Sequence, residues 1–109
     1  MQTVENKYNF GDKSDHYDES VLSKLSPHIL LAIENYVQHG SYLGDFLTAV
    51  MDNDLRMAIG RADDDNVHAM REIIVILNCY CPSDCWGGKD KRVEWQKHHG
   101  MDGLQGLMV

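Results

Sequence analysis

The sequence predicts an all-α fold, a compact bundle of about four to five short helices with a flexible N-terminal arm. Three observations predict it. Apolar residues recur at helical spacing in successive stretches of the chain. Helix start and stop signals stand between those stretches. A length of 109 residues, with 43% hydrophobic and 25% charged side chains, suits one modest core and one domain. The expected organisation is a polar arm over 1–20, a helical domain over 21–99 and a glycine-rich tail over 100–109 that frays.

The arm holds only Tyr8, Phe10 and Tyr17 as large apolar anchors. Ser26-Pro27 then marks a helix start, because the hydroxyl can accept from an orphan amide and proline at the first helical position loses no hydrogen bond. The stretch HILLAIENYVQHG places Ile29, Leu30, Ile33, Tyr36 and Val37 on one face, and Gly40 offers a left-handed cap. Leu43, Phe46, Leu47, Val50, Met51 and Leu55 form a second buried stripe. Asp52, Asn53 and Asp54 suit caps better than a helix interior, so the stripe should break there and resume through Leu55, Ala58, Ile59 and Ala62.

Asp63, Asp64 and Asp65 precede VHAMREIIVILNCY, where carboxylates meet the positive end of a helix dipole. Val67, Met70, Ile73, Ile74 and Leu77 define the buried face of this central helix, and Pro82 ends it near Tyr80. CPSDCWGG reads as a turn. A last helix spans about Asp90 to His99, docked by Val93 and Trp95.

The formal net charge is −7, with 17 acidic residues against 10 Lys and Arg, so the field of the whole molecule repels a phosphate backbone. Direct nucleic-acid binding is not expected. An acidic surface suits a basic protein partner, including the nucleic-acid groove of another protein, where carboxylates stand in for phosphates. No apolar run reaches the ~18 residues of a membrane span, no basic segment leads into an apolar one at the start, and three cysteines suit a reducing compartment. These features point to a cytoplasmic protein with no membrane association.

The aspartates invite a calcium loop, which needs oxygen ligands at alternating positions and a turn glycine. Asp52 and Asp54 fit its first two ligand positions, but Arg56 takes the third and Met57 the glycine's place. Capping accounts for the spacing instead. Cys79, Cys81, Cys85, His98 and His99 offer thiolate and imidazole for zinc, yet their spacing departs from the paired ligands of zinc motifs. Cys81, Cys85, His98 and His99 stand as weak metal candidates, and no cofactor is assigned. No P-loop, G-x-S-x-G, H-E-x-x-H or dinucleotide fingerprint occurs, and nothing marks an oxyanion hole beside a cysteine and histidine. Enzymatic activity finds no constellation to carry it.

Binding has better candidates. Trp86, between Cys85 and Gly87-Gly88, could anchor a partner or fold back over the core. Arg56 and Arg61 stand among Asp52, Asp54, Asp63, Asp64 and Asp65, able to pair with them or to grip a nucleotide-like ligand. Self-association through the Leu43 to Leu55 stripe or the last helix would thicken a thin core.

The stretch HGSYLGDFLTAVMDNDLRMAIGRADDDN, the hydrophobic helix after it and CPSDCWGG followed by KRVEW resemble a widespread group of short bacteriophage and prophage proteins known by pattern rather than function. The resemblance covers His28 to about Trp95 and rests on Gly44, Phe46, Leu47, Ala49, Val50, Asn53, Asp54, Leu55, Ala58, Arg61, Ala62, Asp63 and Asn66. It implies a phage or mobile-element origin, a bacterial host cell, and action by binding a host protein, such as a CRISPR effector, a restriction enzyme or another defence component.

Overall fold

The computed structural model describes residues 3–5, 8–11 and 16–107. It is mostly helical, as the periodicity predicts, but the helices are more numerous and shorter than expected. In chain order they are α1 (Glu19–Leu22), α2 (Pro27–His39), α3 (Asp45–Met51), α4 (Leu55–Arg61), α5 (Asp64–His68), α6 (Met70–Tyr80), α7 (Lys89–Lys97) and α8 (Gly100–Leu107). A 3-10 turn, Ser83–Cys85, joins α6 to α7.

The described residues among the first twenty depart from the expected arm. β1 (Thr3–Glu5) and β2 (His16–Asp18) pair antiparallel, with Val4 opposite Tyr17. Phe10 and Tyr17 are fully buried, and a row of rings runs from Tyr8 through Phe10 and Tyr17 to Tyr80 of α6. The Tyr17 hydroxyl accepts from the Phe10 amide, and the Tyr80 hydroxyl from the Asp18 amide, both at 3.1 Å. Burying two such rings stabilises the fold by about 1.5–3 kcal/mol each, so Phe10 and Tyr17 belong to the core. Residues 1, 2, 6, 7 and 12–15 of the segment lie outside the described residues.

α2 follows the sequence closely, except that Ser26 stands at its N-cap without the expected side-chain hydrogen bond to an amide. Ile29, Leu30, Ile33, Tyr36 and Val37 are all buried, and Gly40 ends the helix at φ 67°. In α3, Phe46, Leu47, Ala49, Val50 and Met51 are buried. Most of the second stripe is therefore consumed by the chain's own core.

The corner after α3 has a specific cause. Asn53 takes the left-handed conformation at φ 59°, its amide donates to Val50 O, and the Asp54 amide donates to Ala49 O. This is a Schellman closure with asparagine where glycine is usual, tolerated because its short side chain suits that region. The reversal changes which face of α4 meets the core: Ala58 is buried, while Leu55 is 70% and Ile59 47% exposed. The expected continuation of the stripe through Leu55 and Ile59 is thus corrected.

The central helix also breaks once, at Ala69, into α5 and α6. Ile73, Ile76 and Leu77 are fully buried, whereas Val67 and Ile74 face solvent. α6 ends at Tyr80, before Pro82. α7 docks through Trp95, whose indole N–H donates to Tyr36 O at 3.0 Å, and Val93 remains exposed. The glycines expected to fray the tail instead let α8 lie against α2. At Gly100 a Cβ would stand 2.6 Å from Val37 O and 2.7 Å from Gly40 N, so two glycines permit a backbone crossing that larger residues forbid. His39 and Asp102 join the two helices at 2.5 Å.

Candidate functional site

The acidic stretch 52–65 separates into three kinds of side chain. Asp52 is structural: Arg92 of α7 embraces its carboxylate through Nε and Nη2, and both side chains are about 85% buried. The same guanidinium donates to Gln96 Oε1 at 3.0 Å, and the Gln96 amide donates to Ser41 O. Beside this pair, the Gly87 and Gly88 amides donate to Met51 O, which closes the end of α3. Cys85 is buried in the core, its carbonyl accepting from the Tyr36 hydroxyl at 2.5 Å. Burial, aided by the Cys85 side chain nearby, pushes the Tyr36 phenol well above its ordinary range.

Asp54 and Asp63 are caps. Asp54 Oδ1 accepts from the Met57 amide at 3.1 Å and Asp63 Oδ1 from the Asn66 amide at 2.8 Å. Each carboxylate satisfies an orphan donor while its charge faces the helix dipole. Asp64 and Asp65 occupy the first turn of α5 and are exposed. The capping expectation thus holds for both clusters, and Asp52 adds an ion pair that the sequence did not disclose.

Between the caps stands α4, whose buried residue is Ala58 alone. Leu55, Met57 and Ile59 are 70%, 44% and 47% exposed, with Arg56 and Arg61 exposed among them. Leu55 and Ala58 border a shallow depression of about 40 Å³ completed by Ala49, Val50, Met70 and Ile74. The face is apolar where it meets α6 and charged at both ends of α4.

No family model, curated protein sequence or solved structure matches this chain.

Two open clefts flank the α5 end of this surface, and both are bordered by His28 and Asn66. One, about 460 Å³, is polar, with Lys24, Asp63, Asp65 and His68 on its walls. The other, about 490 Å³, lies over Ile29, Ala32, Phe46 and Leu47. Its rim carries Arg61 and Asp45, whose Nη1 and Oδ2 are 3.7 Å apart. Arg61 thus lines a cleft, while Arg56 stands exposed near the start of α4. His28, Asp45, Asn66 and His68 are not among the candidate site residues that the sequence offers; His28 and Asp45 lie in the first turns of helices with no spacing that links them to α5.

The remaining candidates are dispersed. Trp86 is half-buried and packs against the core rather than projecting from its loop. Cys79 is exposed, Cys81 half-buried and Cys85 buried. His98 meets the edge of Trp95, and His99 sits at φ 66°. Among the described residues, no group of three or more His, Cys, Asp or Glu side chains is placed to hold a metal ion. Cys81, Cys85, His98 and His99 are therefore not gathered into a zinc centre. No described helix is long and apolar enough to cross a membrane.

Proposed function

We propose that this protein acts by binding another protein, through α4 and the aspartates that bracket it. The observation that carries the reading is the exposure of Leu55, Met57 and Ile59 on a seven-residue helix that buries only Ala58. Apolar side chains held in water on a rigid element, bordered by charge, are the ingredients of an interface core and rim. The surrounding Asp54, Asp63, Asp64 and Asp65, together with the net charge of −7, favour a basic surface on the partner. A nucleic-acid-binding protein of a bacterial host is such a partner. We extend the proposal to a host defence component, a CRISPR effector among them, bound in order to inhibit it, which is what a phage origin of the kind the sequence pattern of His28 to Trp95 implies would entail.

A second reading, self-association over the same face, is favoured by the exposed Leu55 and Ile74 but opposed by bringing two acidic copies together. Affinity capture with the tagged wild type and with Leu55→Ser/Ile59→Ser, followed by mass spectrometry and light scattering, tests both. A single host protein retained by the wild type and lost from the folded variant supports the proposal. A dimer dispersed by the variant supports self-association, and identical behaviour of the two proteins removes α4 from the account.

A further inference from the structure

We infer that the cleft bordered by α2, α3, the end of α4 and α5 binds a free α-amino acid with an apolar side chain, its carboxylate on Arg61 and its ammonium on Asp45. The open cleft, about 490 Å³, has the volume of a small-molecule site. Its floor is hydrocarbon, from Ile29, Ala32 and Phe46, and two opposite charges lie side by side on its rim. Asn66 adds an amide that can both donate and accept.

The rim pair selects the ligand. Arg61 Nη1 and Asp45 Oδ2 are 3.7 Å apart, with side chains 54% and 81% exposed. Such a contact is weak in water and readily exchanged. An α-amino acid carries its ammonium and carboxylate on one carbon, so it can insert both charges where that pair stands. The exchange replaces one loose ion pair by two charge-assisted contacts while the ligand's side chain covers the apolar floor. A zwitterion has no net charge and is not repelled by the protein's charge of −7, whereas a nucleotide polyanion would meet that field with one guanidinium at this rim. The site shares Arg61 with α4 but not the apolar residues Leu55 and Ile59, so Leu55→Ser/Ile59→Ser, which tests the protein interface, leaves it in place.

The test is a titration of the isotope-labelled full chain by amide-resolved NMR. The probes are L-phenylalanine, N-acetyl-L-phenylalanine, which lacks the ammonium, L-phenylalaninamide, which lacks the carboxylate, and ATP. Saturable shifts at Ala32, Phe46 and Asn66, with a dissociation constant of roughly 1 mM for the free amino acid, are expected from its size. Each capped form should bind at least about tenfold more weakly. Asp45→Asn and Arg61→Gln, both at exposed positions, should keep the unliganded spectrum and lose the shifts. The inference is overturned if L-phenylalanine produces no saturable shifts, if the capped forms bind as well, if either variant binds normally, or if ATP is preferred at these residues.

Discussion

Replacing Arg92 by methionine tests the argument that the first acidic cluster is an internal fastening. Arg92→Met keeps a long apolar stem but removes both contacts to Asp52 and the 3.0 Å bond to Gln96. The carboxylate of Asp52, 16% exposed, is then left without its cation. Breaking a fully buried pair costs about 3–5 kcal/mol and an exposed one about 0.2–1 kcal/mol. With both partners about 85% buried, the expected loss is about 3 kcal/mol. For a chain of this length that lowers the melting temperature by about 12 °C. Urea unfolding followed by the fluorescence of buried Trp95 measures the loss directly. Asp52→Asn/Arg92→Met should be less damaged than the sum of the single changes, by roughly 2 kcal/mol, because no charge is then stranded. A loss under about 1 kcal/mol for Arg92→Met would mean that the pair behaves as a surface contact and would refute the reasoning.

Three other outcomes follow from the same geometry. Asp54→Ala and Asp63→Ala should each cost about 1 kcal/mol in denaturant titrations, while Asp64→Ala stays within about 0.5 kcal/mol. Gly100→Ala, at φ 65° and against the α2 backbone, should speed amide exchange throughout α8 while α2 to α6 remain protected. Tyr36 has a folded pKa raised above its ordinary value of 10.0, so its contribution is complete below that pH. Above it, the unfolded chain loses the proton first and stability falls as pH rises; Tyr36→Phe should make that fall shallower in pH-dependent melting curves.

The sequence disclosed the helices wherever local chemistry decided them. Pro27 at the first helical position and Gly40 bound α2, Asp54 and Asp63 cap α4 and α5, and Pro82 follows the end of α6, all by chemistry local to a few residues, although the Ser26 hydroxyl makes no capping bond. It misplaced what depends on the turn at Asn53. A left-handed residue rotates everything after it, so Leu55 and Ile59, in register with the preceding stripe, end in solvent. The burial of Phe10 and Tyr17 rests on Tyr80, more than sixty residues away, and the Asp52–Arg92 pair spans forty positions. The Gly40–Gly100 crossing is likewise non-local, and there glycine signals close packing where its helix propensity alone suggests fraying. The candidate cleft was half legible: Arg61 stood out among carboxylates, but its neighbour proved to be Asp45 rather than the flanking aspartates.

The most direct test of the central claim, that α4 is a face kept for a partner rather than part of the core, is Leu55→Ser measured for both stability and capture. A side chain 70% exposed should leave stability within about 0.5 kcal/mol of wild type. Capture of the partner should fall by at least tenfold if Leu55 anchors the interface. Retained stability with lost capture is the predicted result; a large loss of stability, or unchanged capture, would contradict it.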